Sequence, residues 1–279
     1  MMYSASWRIR TLVFSALAAF LLLAVPAFAD DGEGPLREAQ PTGTTSDEII
    51  KKFAAREKEF KQARDNYTYR QSVKVQTVDG NTVDGEYQMV TDILFDDKGR
   101  RIENVVFAPQ PTLTRIQMTN EDLDDIQNRL PFVLTSDEIA QYSILYVGQQ
   151  KEDELDTYVF DIAPKQIEKN KRYFQGRIWV DTQDLQIVKT YGKNVPDIRK
   201  GSGENLFPKF TTYREQIDGQ YWFPTYTYVN DTLHFKLGDV QIRQIVKYTN
   251  YKRFGSKSKI IYEGQELPQG PNPPPPPKK

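Results

Sequence analysis

The sequence predicts a mainly β protein with a few helices, built on one antiparallel sheet of about ten strands. Three observations predict it. Long stretches alternate apolar and polar residues with a period of two. Turn signals separate them, among them Asp79-Gly80-Asn81, Asp97-Lys98-Gly99 and Asp218-Gly219. Helical periodicity is confined to one stretch before the first strand and one insert between strands.

The N-terminus reads as an export signal. Arg8 and Arg10 precede a nearly continuous apolar run from Thr11 to Val25, and Ala27-Phe28-Ala29 is a small-x-small cleavage site. Residues 1–29 are therefore expected to be removed near Ala29, which places the mature chain in the periplasm. Cleavage leaves 35 basic against 38 acidic residues, a net charge of −3. That balance argues against nucleic acid as a partner. The chain has no cysteine, so it has neither a disulfide nor a site for N-terminal lipidation.

Residues 30–44 are polar and carry Gly32, Gly34, Pro35, Pro41 and Gly43, the composition of a flexible lead-in. Thr45 and Glu48 then form a capping-box pair, and Ile49, Phe53, Phe60 and Ala63 share one helical face. A helix is expected over about 46–65. Tyr67, Tyr69, Val73 and Val75 alternate with polar residues to make the first strand. Val83, Tyr87, Met89, Ile93 and Phe95 make the second, and Ile102 to Phe107 the third.

Pro109, Pro111 and Pro131 then break the pattern. Thr119 and Thr135 are two helix-start signals; the second repeats the "TSDEI" of residues 45–49. A helical insert is expected here. Strands resume at Tyr142–Gly148 and at Tyr158, Phe160 and Ile162. A hairpin follows in which Ile178 and Val180 alternate with Arg177, Trp179 and Asp181, and Leu185 and Ile187 resume after the turn. Phe210–Ile217, Tyr221–Val229 and Val240–Phe254 complete the sheet, giving one domain from about 45 to 262. Residues 263–279 form a proline-rich tail, whose five prolines from Pro273 to Pro277 impose an extended, solvated polyproline II run.

The reactive groups that an enzyme needs are sparse. His234 is the only histidine, no phosphate-cradling or dinucleotide-binding glycine motif occurs, and no G-x-S-x-G is present. The carboxylate clusters Asp96-Asp97, Glu121–Asp125 and Glu152–Glu154 sit in turn or helix-surface contexts, where solvated charge is the default. Neither a cofactor nor a metal is expected. Between Val240 and Tyr262 stand six basic residues and no acid: Arg243, Lys247, Lys252, Arg253, Lys257 and Lys259. The plain reading is a solvated strand face; the alternative is an electrostatic patch for anionic lipid or a partner.

Three stretches carry a family resemblance. "YVFDIAPK" at 158–165, "GRIWVDTQDLQIVKTYGK" at 176–193 and "FTTYREQIDGQYWFPTYTYV" at 210–229 follow a signal peptide and an amphipathic helix. In this order the chain resembles the LolA/LolB-like superfamily of outer membrane lipoprotein-sorting proteins. The resemblance implies a half-open antiparallel β-barrel with a helical lid on its concave face, here the first helix and the 119–142 insert. It implies a periplasmic, non-enzymatic carrier of lipid or lipoprotein acyl chains, working between inner- and outer-membrane partners, and a monomer. On that basis Tyr69, Val73, Val75, Met89, Ile93, Phe160, Ile162, Ile178 and Val180 are expected to line a lipid cavity, with Phe53 and Phe60 on the lid. The rival readings are an envelope sensor or partner-binding module of the same fold, and a hydrolase using surface carboxylates.

Overall fold

The computed structural model describes residues 33–96, 100–200 and 203–254. The expected signal sequence and the proline-rich tail lie outside the described residues, as do Lys257 and Lys259.

The first helix, α1 (Ser46–Arg64), starts where the capping box places it, with Thr45 Oγ1 accepting from the Glu48 N–H. Three strands follow as a meander: β1 (Tyr67–Asp79), β2 (Thr82–Phe95) and β3 (Arg101–Phe107). After the insert come β4 (Tyr142–Glu152), β5 (Leu155–Pro164), β6 (Tyr173–Asp181) and β7 (Ile187–Val195). A small separate hairpin, β8 (Ile198–Lys200) and β9 (Gly203–Asn205), precedes β10 (Phe210–Gln216), β11 (Trp222–Phe235) and β12 (Gly238–Arg253). That hairpin is not legible in the sequence, because three-residue strands are too short to show a period.

Ten strands form one antiparallel sheet in the order β3-β2-β1-β12-β11-β10-β7-β6-β5-β4. The first and last strands of the domain meet, with Val73 opposite Val246. β3 and β4 remain separate edges, so the sheet is not closed into a barrel. This agrees with the expected half-open form.

Period-two burial holds along β12, where Val240, Ile242, Gln244, Val246 and Tyr248 are buried. The β6–β7 hairpin departs from its expected form in two ways. Leu185 belongs to the turn, with φ 52°, and β7 begins only at Ile187. Asp181 Oδ2 holds that turn by accepting from the N–H groups of Gln183 (2.9 Å) and Asp184 (2.6 Å), a side-chain-stabilised reversal that an Asp before a polar tripeptide favours. Second, Trp179 points away from Ile178 and Val180 yet is also buried, packed with Val159, Val188 and Leu36.

Leu36 comes from the segment read as a lead-in. The Gly34 N–H donates to the Lys151 carbonyl (2.8 Å), and Arg37 and Gln149 exchange two backbone hydrogen bonds (2.8 and 2.9 Å). The segment is thus a strap along the β4 edge. Lys189, only 4% exposed, pairs with Glu33 of the strap and with Glu152 of β4. Gly148 makes this approach possible, since a Cβ there would lie 2.3 Å from the Arg37 carbonyl oxygen. We predict that Gly148→Ala lifts the strap off the edge. Hydrogen exchange should rise at residues 34–37 and 149–151, with the exchange of β1 and β12 unchanged.

Candidate ligand-binding site

α1 lies across the concave side of the sheet, and its contact with β10 is ionic at the centre. Glu57 stands four residues after Phe53 and three before Phe60, in the middle of the apolar stripe, and it is fully buried. Its carboxylate accepts from Arg214 Nη1 (2.9 Å) and Nη2 (3.2 Å) and from the Ile187 backbone N–H (3.2 Å). Arg214 Nη2 also donates to the Phe132 carbonyl, and the guanidinium lies 5.2 Å from the centre of the Phe60 ring. Burial pushes the Glu57 carboxyl above its ordinary range, against the pull of Arg214.

Aromatic contacts flank the ion pair. Phe53 packs on Phe160 (5.6 Å between ring centres) and Phe60 meets Phe223 edge-on (5.2 Å). Phe53, Val73, Val75, Phe160, Ile162, Ile178 and Val180 all belong to one packed cluster.

The insert covers the rest less tightly. The Thr119 capping box forms, with Asp122 as its acid, but α2 (Asn120–Asp124) makes little more than one turn before passing into a π turn at Asp125–Arg129. The start at Thr135 likewise yields only a short turn at Ile139–Gln141. There the Ser136 N–H bonds to the Ala54 carbonyl instead (3.0 Å), and Lys58 and Lys61 of α1 pair with Asp137 and Glu138. Tertiary contact to α1 takes what a longer helix would have used. Two side chains of the sheet reach carbonyls near the start of the π turn and just after it. Gln71 donates to Ile126 (3.3 Å) and Thr212 to Leu130 (3.0 Å).

Between this insert and the sheet lies a cavity of about 930 Å³, within the roughly 300–1,000 Å³ typical of small-molecule sites. Its sheet wall is Val75, Phe210, Leu233, Val240 and Ile242. Ile116, Met118, Ile126 and Leu130 of the insert face them, and Leu206 and Phe207 close the side after β9. The tip of the β11–β12 hairpin, with a fully exposed Leu237, borders the opening. Gly85 lets the insert run close to the sheet, since a Cβ there would lie 3.0 Å from the Thr112 carbonyl oxygen.

The polar part of the wall centres on Asp125, which is 5% exposed. Its Oδ2 accepts from Asn194 (3.0 Å) and from Arg172, and its Oδ1 lies 3.2 Å from Arg129 Nε. Arg172 stacks over the Phe207 ring, 3.1 Å from its centre. Burial raises the Asp125 pKa to about 6, against the charge of Arg172, the Asn194 hydrogen bond and Arg129. Asp122 is also raised by burial. Among the described residues, no group of three or more His, Cys, Asp or Glu side chains is placed to hold a metal ion. His234 is exposed on the β11–β12 hairpin beside Asp239 (2.9 Å).

Of the eleven residues expected to form a lipid site, Val75 borders this cavity. Phe53, Val73, Phe160, Ile162, Ile178 and Val180 are buried in the packed cluster and do not line it. Phe60 packs with Tyr67 and Phe223, and Tyr69 stacks on Tyr251 (5.2 Å). Ile93 is buried, and Met89 is half-buried against the Tyr87 hydroxyl (3.4 Å). Sequence reasoning missed the walls from 116–130 and 206–207. Those segments lack a clean period, and only their apolar residues in otherwise polar stretches signalled burial.

The fold and site define a class: an open antiparallel sheet with a helix packed over one part of its concave face and an apolar cavity over another. No family model matches the chain, and no curated protein does. Among solved structures it is similar to a DUF1329 family protein from Desulfovibrio piger, at 13% identity and a TM-score of 0.41, over 74% of this chain and 92% of that one. It is also similar to an outer membrane lipoprotein-sorting protein domain from Vibrio parahaemolyticus, at 13% identity and a TM-score of 0.33, over 71% and 90%. A third neighbour is MucB in complex with MucA(peri), at 11% identity and a TM-score of 0.22, over 73% and 93%. Scores this low carry no functional argument, and the reading of the cavity rests on its own geometry.

Two predictions follow from the charged groups. Arg214→Leu leaves Glu57 buried without its partner, so stability to urea should fall by about 3–5 kcal/mol; adding Glu57→Leu should restore part of that loss. Asp125 has a folded pKa above its unfolded value, so its contribution is present below about pH 4 and is lost as pH rises through about 6. Asp125→Asn should therefore flatten the decline in stability between about pH 4 and 6, by roughly 1–3 kcal/mol. An unchanged slope would contradict the assignment.

Proposed function

We propose that this protein is an exported, non-enzymatic carrier that takes the acyl chains of a lipid or lipoprotein into the cavity between the insert and the sheet. The observation that carries this reading is an apolar wall of about 930 Å³ on the concave side, open at a hairpin tip. Each methylene moved from water onto such a wall contributes about 0.8 kcal/mol. A single myristoyl-length chain binds a bilayer only marginally, so a cavity of this size competes with a membrane for a short-lived load. Aliphatic and phenyl side chains hold a chain without fixing its shape, which suits carriage better than catalysis. The export signal read from the sequence supports a periplasmic location.

Expression of the full chain with export, purification without detergent and lipid mass spectrometry test this. Bound lipid or acylated peptide in near-stoichiometric amount is expected. Met118→Trp with Leu233→Trp should fill the cavity and cut bound lipid several-fold, with an unchanged circular dichroism spectrum. A lipid-free wild type that also takes up no fluorescent fatty acid contradicts the proposal.

A further inference from the structure

The outer, convex face of the sheet carries a patch that the cavity does not explain. The strand register builds it. Tyr213 of β10 stands opposite Tyr226 of β11, and Thr211 lies between Tyr191 of β7 and Tyr228 of β11. Across the next pairing, Tyr228 faces Ile245, Tyr226 faces Lys247 and Asn230 faces Arg243 of β12. Four tyrosines and an isoleucine therefore share one side of the sheet, with Arg243 and Lys247 beside them. Tyr191, Tyr213 and Tyr228 are 45%, 41% and 37% exposed, so large aromatic surface meets water here. Tyr213 and Tyr226 lie 6.4 Å apart between ring centres.

Arg243 and Lys247 of the basic run noted in the sequence fall on this face. Lys74 and Arg70 of β1 are matched by Glu86 and Asp92 of β2. Arg243 and Lys247 make no ion pair among the described residues. A cavity of about 920 Å³ on this side, lined by Tyr191 and Thr211, ends at β10; beyond it, the unmatched Arg243 and Lys247 beside the half-exposed phenols of Tyr226 and Tyr228 suit a broad anionic surface better than a shaped ligand. Tyrosine places an apolar ring and a polar tip at the level of lipid headgroups, and each lysine or arginine near an anionic leaflet adds attraction that salt screens.

We propose that this tyrosine and lysine-arginine face docks the protein, weakly and reversibly, on a bilayer surface rich in anionic lipid. The cavity lies on the opposite side of the sheet, so its opening stays free while the protein is docked. Docking is thus independent of cargo.

Sedimentation with vesicles tests it, comparing phosphatidylcholine alone with phosphatidylcholine containing phosphatidylglycerol. The wild-type chain should pellet with the anionic vesicles and not with the neutral ones, and raised salt should release it. Arg243→Gln and Lys247→Gln should each weaken binding about fivefold. Tyr213→Ser with Tyr228→Ser, both at exposed positions, should weaken it further with an unchanged dichroism spectrum. The cavity-filled Met118→Trp, Leu233→Trp variant should dock like the wild type, which separates this face from the cargo site. Equal binding to neutral vesicles, full binding by the double glutamine variant, or a preference for a single-stranded oligonucleotide over anionic vesicles would overturn the proposal.

Discussion

The buried pair of Glu57 and Arg214 is the contact on which the arrangement of the other parts depends. Three segments meet there: α1 through Glu57, β10 through Arg214 and the insert through the Phe132 carbonyl. A carboxylate and a guanidinium taken out of water each lose hydration worth several kcal/mol, and only near-complete hydrogen bonding offsets that loss. Glu57 gains it from both guanidinium nitrogens and from the Ile187 N–H. Such a pair adds little net stability over an apolar one, but it is intolerant of displacement. It therefore sets where α1 sits on the sheet, and with it which part of the concave face is filled.

From that placement the cavity follows. α1 delivers Ile49, Phe53 and Phe60 to the sheet, where all three are buried. The insert spans the neighbouring region with one short helix, a π turn and extended chain, and such elements bring fewer side chains per unit area to the surface below. Its backbone is held by single polar contacts, Gln71 to Ile126 and Thr212 to Leu130, rather than by interlocking apolar ridges. A space lined by apolar side chains remains. The polar cluster at Asp125 fixes the insert at the cavity wall through Arg172, Arg129 and Asn194.

How much of this was legible depends on whether a signal is local. α1 was readable to within a residue or two, because its capping box and stripe are contained in twenty residues. The long strands were readable from alternation, and so was the one-sided sheet. Their order was not, because the meeting of β1 with β12 depends on contacts between chain positions about 170 apart. Glu57 offered a clue that the reading passed over: an acid at the centre of an apolar stripe requires a buried partner, and Arg214, alternating with Phe210 and Thr212, was its candidate. The strap at 33–37 looked flexible by composition, yet Gly34 and Gly148 are what allow two backbones to approach. For the site, the sequence placed apolar side chains on the concave face but could not tell packed core from cavity wall. Val75 lines the cavity and Ile178 and Val180 do not, although all three belong to the same packed cluster and read alike in alternation.

The most direct test of the central claim is a methyl NMR titration of the protein with a medium-chain fatty acid. If the cavity between insert and sheet is the binding site, methyl signals of Met118, Leu130, Leu206, Leu233 and Ile242 shift together and saturate. Those of Ile178, Val180 and Ile187, which do not line the cavity, then stay in place. Shifts confined to Ile178, Val180 and Ile187, or no saturable shift at all, would contradict it.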